Sequence, residues 1–218
     1  MGNHNTEKDF YEIKAQITLK KMFSTEYSRL IRSESPDLIT NDLEIGVEVT
    51  RAVNPQDEKE RKYFERELIN SDVSNVNPEK LEAFHRNGKQ ILKLPDSEKI
   101  IGYSDGFWHS NINIIGAVTK KIKAINCGKY RSVKYMDVYV FSQAEFTYDD
   151  CDLDEIMKSI IELQSKYDNT FRYLFVDAIN ILILFDLQKN IIQKFSIEDL
   201  LDEICIEAKN LAENEFEL

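Results

Sequence analysis

The sequence contains few of the residues that mark disulfide-rich, fibrous or linker-dominated proteins. Among its 218 residues are 3 cysteines, 4 prolines and 7 glycines, too few glycines and prolines for a collagen-like or linker-dominated chain. The cysteines are odd in number, lie far apart and form no C-x-x-C pair, so neither a disulfide framework nor a zinc site is indicated. Three reduced thiols are typical of a cytoplasmic protein.

Long apolar segments are lacking too, and this bears on location. No apolar run approaches the ~20 residues that a membrane helix needs, so we expect no membrane association. The first residues have neither an apolar core nor a small-residue cleavage site, so we expect no secretory signal and a cytoplasmic protein. Hydrophobic residues make up 42% and charged residues 31% of the chain, which is typical of a globular protein. The length predicts one large domain, residues 1–218, with room for an insertion.

The charge of the chain is negative overall but unevenly distributed. The formal net charge is −11, and residues 136–218 carry 19 acidic and 6 basic side chains. Residues 106–136, in contrast, carry six lysines and arginines and no acid. A positive segment of this kind can hold nucleic-acid phosphates, so Lys120, Lys121 and Lys123 are candidate DNA contacts. A solvated lysine face is the ordinary alternative.

Two classes of partner follow from this distribution. DNA is the expected ligand of the positive segment. The acidic C-terminal third would repel DNA, and it is instead a candidate docking surface for a protein partner. The sequence also leaves a homodimer open.

Hydrophobic periodicity predicts an alternation of helices and strands. In chain order the predicted segments are a helix over 7–32, strands over 37–40 and 43–53, a helix over 56–70, a helix over 111–126, a strand over 136–142, a helix over 154–167, strands over 171–177 and 181–187, and a helix over 196–214. Residues 71–110 are polar and irregular, with short strands at 90–94 and 99–103, and are interpreted as an insertion or lid. The order α-β-β-α-(insert)-α-β-α-β-β-α predicts an α/β (α+β) protein with a mixed central β-sheet flanked by helices.

One pair of acidic residues lies at the predicted β-hairpin. Pro36-Asp37 opens the first strand, and Glu48-Val49-Thr50 lies in the second. Side chains alternate along a strand, so Glu48 points away from the apolar face that includes Val49, and Asp37 can meet it across the hairpin. Two ionised carboxylates at close range repel each other unless a cation lies between them. The pair therefore predicts a site for a hard divalent ion, Mg²⁺ or Mn²⁺, which can activate water for phosphodiester cleavage.

This pattern resembles the motif of the PD-(D/E)xK nuclease superfamily, which includes many restriction enzymes. In that motif a Pro-Asp begins one strand, a Glu-x-Lys lies on the next, and a preceding helix often carries a glutamate. Pro36-Asp37 and Glu48 match the two acidic positions, and Glu26 matches the helix acid. The resemblance implies a restriction-endonuclease-like fold and divalent-metal-dependent cleavage of DNA, with Asp37 and Glu48 as metal ligands and Glu26 supporting them. The lysine-rich helix over 111–126 and the strand after it are also similar to that superfamily.

The motif lysine is missing, because Thr50 stands at its position. In the family that lysine helps to position or activate the attacking water. Either its role has moved to another residue, with Lys62 on the following helix as the first candidate and Lys59 or Arg51 behind it, or the protein has lost catalysis. In the second case it is a nuclease-fold module that binds nucleic acid or a partner protein without cutting.

The other polar candidates have simpler interpretations. Pro36-Asp37 is also an ordinary helix stop and turn entry. Glu44 shares the face of Glu48, but a solvated strand glutamate explains it. His85 and His109 lie in the irregular segment without an identifiable serine or cysteine partner, so both are interpreted as structural.

Overall fold

The computed structural model describes residues 6–53, 59, 62–86, 90–94, 97–104, 110–128, 130–142 and 149–214. The chain divides into two compact units. Met1–Ala52 and Ser110–Leu218 form the larger unit, and Val53–His109 form the smaller one. The smaller unit begins earlier than the predicted insertion at 71–110, because buried Phe64 and Leu68 pack within it against Val76 and Ile100.

Helices and strands occur in both units. In the described residues the helices are α1 (Thr6–Met22), α2 (Ser24–Tyr27), α3 (Pro78–Arg86), α4 (Ser110–Ile125), α5 (Asp150–Gln164) and α6 (Glu198–Asn214). The strands are β1 (Leu30–Arg32), β2 (Leu38–Thr40), β3 (Ile45–Ala52), β4 (Gln90–Lys93), β5 (Ile100–Ser104), β6 (Tyr135–Ser142), β7 (Tyr173–Ala178), β8 (Ile181–Asp186) and β9 (Ile191–Ser196). A π-helical turn, Phe64–Leu68, and a 3-10 turn, Val73–Asn75, lie in the smaller unit. None of these helices has the length and apolar character that crossing a bilayer requires.

The larger unit is built on a mixed sheet flanked by helices, as predicted. Seven strands of its described residues pair in the order β1-β2-β3-β6-β7-β8-β9. β3, β6 and β7 run parallel in the centre, and the pairs on either side of them are antiparallel. β4 and β5 form a separate antiparallel pair in the smaller unit. β3 therefore lies between the hairpin strand that follows Asp37 and the central strand β6.

Helices cover both faces of this sheet because alternate side chains of the central strands point to opposite sides. Val47 and Tyr139 pack toward α1, whereas Val138 and Val140 pack toward α4 and α5. α6 packs on α1. Each buried valine or isoleucine in these layers contributes roughly 1.5–3 kcal/mol to stability. Glu48, one residue from Val47, therefore points to the face that α4 covers.

The N-terminal helix is shorter than the predicted 7–32. α1 ends at Met22, a single helical turn follows, and Leu30 belongs to β1, where it pairs with Thr40. A strand of three residues is too short for alternation to show in the sequence, and Leu30 happens to fall at helical spacing. The sequence does not predict β9 either, because its side chains are mostly exposed and no apolar alternation marks it. The other predicted helices and strands of the larger unit are confirmed.

Gly46 marks a place where the chain packs too closely to admit a side chain. A Cβ added there would lie 2.7 Å from Cγ of Pro36 and 3.2 Å from Sδ of Met136. Pro36 is therefore held directly against β3, which fixes the position of Asp37 beside it.

We expect Gly46→Ala to lower the free energy of unfolding by about 1–3 kcal/mol, the usual cost of overpacking a core. Urea unfolding measures the change. Gly116→Ala is the matched control, since a Cβ on that residue of α4 meets nothing within 4 Å and alanine in a helix is favoured by roughly 0.5–1 kcal/mol over glycine. Equal stability of Gly46→Ala and the unmodified protein would show that Pro36 does not pack against β3 in this way.

Candidate active site

The two motif carboxylates lie together on the β2–β3 hairpin. Asp37 immediately precedes β2, and its Oδ2 accepts a hydrogen bond of 2.8 Å from the backbone N–H of Val49. Glu48 lies in β3 and points toward α4. The exposed fraction is only 4% for Asp37 and 1% for Glu48. Two buried carboxylates need a positive partner, because an unpaired buried charge is strongly unfavourable.

Lys121 on α4 is that partner. Its Nζ donates a hydrogen bond of 3.0 Å to Oδ2 of Asp37 and another to Oε2 of Glu48. Its side chain is 21% exposed. Lys121 falls three and four residues after Val118 and Ala117, both buried, so it projects from the sheet-facing side of the helix.

Lys121 therefore differs from the two lysines with which it was grouped as a DNA contact. Lys120 and Lys123 are exposed on α4, as a phosphate-binding face requires. Lys121 instead turns inward, because the pairing with two carboxylates offsets the loss of hydration. Its spacing from the apolar residues of α4 was the one signal in the sequence for this placement.

Tyr130 completes a set of four groups that we call the carboxylate–lysine cluster: Asp37, Glu48, Lys121 and Tyr130. The charge of the Glu48 carboxylate acts on its phenol. Burial and the charge of Glu48 raise the pKa of Tyr130 to about 12, so its hydroxyl stays protonated at neutral pH. The cluster thus holds two acids, one ammonium and one phenol.

Burial and mutual charge shift the pKa values inside this cluster. Burial raises the pKa of Glu48, the Lys121 ammonium opposes this effect, and the neighbouring Asp37 adds to it. Burial disfavours the charge on Lys121, but Glu48 and Asp37 outweigh it and hold the pKa of Lys121 above its usual value. Lys121 is therefore a firmly protonated cation between two acids.

The donor set of the cluster is compatible with a hard divalent ion. In the part of the chain that the structure describes, no three His, Cys, Asp or Glu side chains form a metal-binding group. Mg²⁺ nevertheless binds proteins through one or two carboxylates and keeps several waters. Asp37 and Glu48 direct one oxygen each at a single cation, here the Lys121 ammonium. Mg²⁺ or Mn²⁺ fits these two ligands if the ammonium moves aside.

Glu26 does not join this cluster. Its carboxylate pairs with Nη1 of Arg172, whose Nη2 pairs with Asp137 at 2.7 Å. Asp137 is in register with Val47 and so lies on the face opposite Glu48. The expectation that Glu26 supports the metal ligands is therefore corrected. That expectation assumed that one helix continues over residues 7–32 with Glu26 on its inward face, whereas α1 ends at Met22.

A second buried network occupies that opposite face. Asp137 is fully buried and accepts a hydrogen bond of 2.7 Å from the hydroxyl of Tyr27. Burial raises the pKa of Asp137, and the guanidinium of Arg172 opposes the shift. The guanidinium also lies over the rings of Tyr135 and Tyr173, at 4.7 and 4.2 Å. Both acids of this network pair with the guanidinium of Arg172, which indicates a structural role.

The other predicted residues belong to both units of the chain. Lys62 lies in the smaller unit, where its side chain is exposed. Thr50 is half-buried on the face of Glu48. Glu44 is exposed and pairs with Lys134 at 3.3 Å, so the interpretation as a surface glutamate fits. His85 is exposed, and His109 lies outside the described residues.

The carboxylate–lysine cluster is the arrangement best suited to chemistry. Its two acids can bind a cation, and its ammonium can hold an anion or orient a water molecule. Sequence reasoning found both acids but missed Lys121 and Tyr130 as their partners. Comparison of the chain with protein-family models, with curated proteins and with solved structures found no match.

Proposed function

We propose that this protein is a divalent-metal-dependent nuclease that cleaves phosphodiester bonds in DNA. The observation that carries the proposal is the position of Lys121, whose Nζ contacts Asp37 and Glu48 together. Two acids and a lysine are the groups that the resemblance to the PD-(D/E)xK superfamily requires. Thr50 leaves the lysine position on β3 without an amine, and Lys121 supplies one from α4.

The order of elements around the cluster supports a restriction-endonuclease-like fold. A helix precedes the hairpin that bears both acids, and a lysine-rich helix is followed by β6, which runs parallel to β3. This is the order that the resemblance implies for the larger unit.

Each residue of the cluster has a role in this proposal. Asp37 and Glu48 would hold Mg²⁺ or Mn²⁺, which when bound neutralises phosphate charge and lowers the pKa of a water ligand. The N–H of Val49 fixes the Asp37 carboxylate. Lys121, displaced from between the acids, would orient the attacking water or a phosphate oxygen.

Outside the cluster, Lys120 and Lys123 are available to substrate. Both are exposed on α4, close in sequence to Lys121. They would contact phosphates on either side of the scissile bond, positioning the strand without reading its bases.

The alternative is a nuclease-fold module that binds nucleic acid or a partner protein without cutting. Its support is that Lys121 already occupies the position between the two acids, and that the chain carries a net charge of −11. Part of the acidic C-terminal third is used inside the fold, since Glu203 and Glu207 on α6 pair with Lys21 on α1 at 2.9 and 3.3 Å. Exposed acids of the same helix, such as Asp199 and Asp202, are available to a protein partner.

Incubation with supercoiled plasmid, single-stranded DNA and RNA tests the proposal. We expect DNA to be cleaved with Mg²⁺ or Mn²⁺ and to stay intact with EDTA, because the two carboxylates alone cannot activate water. Intact substrates under every condition, together with salt-dependent DNA binding, would select the alternative.

A further inference from the structure

A cavity of about 470 Å³ opens beside the carboxylate–lysine cluster in the larger unit. It lies where β6 and β7 begin. Its wall consists of residues 128 and 130–136 between α4 and β6, residues 168–170 and 172 before β7, Ile125 and Gln188. A volume of this size is within the range of small-molecule sites.

The wall combines positive charge, aromatic rings and amide groups. Arg131, Lys134 and Arg172 line the cavity with a single acid, Asp168. Arg172 is compensated by its own acid partners and Lys134 by Glu44. Arg131 is exposed and forms no ion pair with any described residue. Its guanidinium is therefore available to an anion.

The other polar groups of the wall suit a planar ligand with donors and acceptors at its edge. Tyr130 contributes an aromatic ring, and the side chains of Asn169 and Gln188 contribute amides. Neither amide is hydrogen-bonded by a side chain or backbone group within the described ranges. An aromatic ring beside unpaired amides is the usual surface for a nucleobase.

The cavity and the cluster share one loop. Tyr130 lines the cavity, and the charge of Glu48 acts on its phenol. The backbone N–H of Arg131 donates to the carbonyl of Ser35, two residues before Asp37, at 3.2 Å. A ligand in the cavity therefore contacts one member of the cluster, Tyr130, and the loop that is hydrogen-bonded to the segment before Asp37.

We propose that this cavity binds one unpaired nucleotide of the substrate strand, with its phosphate on Arg131 and its base against Tyr130. The inference rests on the proposed nuclease function and names its substrate class. A base held in the cavity cannot remain stacked in a duplex, so the substrate is single-stranded or locally unpaired nucleic acid. A free mononucleotide has the same chemistry, and the experiment distinguishes the two sources.

Binding measured by calorimetry in EDTA tests the inference without any cleavage. The probes are hexathymidylate, thymidine monophosphate, inorganic phosphate and a duplex of mixed sequence. We expect hexathymidylate to bind most tightly and Arg131→Ala to weaken it about tenfold, the value of one hydrogen bond to a charged group. Binding of the duplex should not depend on Arg131. Lys194→Ala is the control, because it removes the same charge from exposed β9, outside the cavity wall.

The other outcomes are decisive too. Equal affinity for thymidine monophosphate and hexathymidylate, both lost in Arg131→Ala, would assign the cavity to a free nucleotide rather than a strand. Inorganic phosphate binding as tightly as the nucleotide, or no effect of Arg131→Ala, would overturn the inference. Absence of cleavage in the nuclease assay would leave this binding result intact, so the two proposals fail separately.

Discussion

Asp37→Asn and Glu48→Gln should each reduce metal-dependent DNA cleavage at least about a thousandfold, because a bound metal supplies several kcal/mol of transition-state stabilisation. Both changes keep the shape of the side chain and remove its negative charge. The fold should persist, since an amide oxygen at position 37 can still accept the hydrogen bond from Val49 N. Initial rates of plasmid nicking at saturating Mg²⁺ measure the effect.

Glu26→Gln is the matched control for these two variants. It removes the same charge, but on the opposite face of the sheet, where Glu26 pairs with Arg172. We expect its cleavage rate to stay within a few-fold of the unmodified protein. If Glu26→Gln lost as much cleavage activity as Glu48→Gln, Glu26 would belong to the site after all. Full activity in both Asp37→Asn and Glu48→Gln would reject a metal-dependent mechanism at this cluster.

Lys121→Met should make the stability of the protein depend on divalent ions. Removal of the ammonium leaves Asp37 and Glu48 buried and mutually repulsive, and breaking a buried ion pair costs about 3–5 kcal/mol. For a protein of this size the loss corresponds to a fall in Tm of about 6–20 °C. Mg²⁺ can then take the position of the ammonium, and a concentration of a hundred times its Kd restores about 2.7 kcal/mol.

Thermal unfolding with and without Mg²⁺ checks this prediction. Lys120→Met is the control. Lys120 is exposed on the same helix, so its replacement should leave Tm nearly unchanged. The unmodified protein should respond less to Mg²⁺ than Lys121→Met does, since the ion must compete with the ammonium. If Mg²⁺ did not change the Tm of Lys121→Met, Asp37 and Glu48 would not be the metal ligands proposed here.

Catalysis in the same variant identifies the role of the amine. We expect Lys121→Met to lose cleavage even with metal bound. A lysine placed at Thr50, on the face of Glu48, should restore part of it in the double variant Lys121→Met/Thr50→Lys. Cleavage by Lys121→Met at the original rate would show that Lys121 is only a counter-ion.

The central layers of the fold could be predicted because their sequence signal is strong. Strand β3 alternates apolar and polar residues, and α4 repeats isoleucine and valine at helical spacing, so burial alone determines both. The start of the smaller unit at Val53 and the exposed strand β9 carry no such signal. Where burial does not select side chains, the sequence holds little information about structure.

The acidic half of the candidate site was also visible in the sequence, whereas its basic half was not. Asp37 and Glu48 lie on neighbouring strands of one hairpin, so local geometry suggests their meeting. Lys121 meets them from 84 and 73 residues away in sequence, and only the packing of α4 on the sheet shows it. Lys62, on the segment that follows the hairpin, stays a prediction, and nearness along the chain does not determine which lysine turns inward.

The wide separation of Lys121 from its partners also has a consequence for biosynthesis. Glu48 leaves the ribosome 73 residues before Lys121, an interval of roughly 4–15 seconds at ordinary elongation rates. Throughout that time the nascent hairpin has its acids but no amine, so it cannot yet adopt its final, dehydrated form. In the proposed nuclease, cleavage could therefore begin only after α4 has been made and docked.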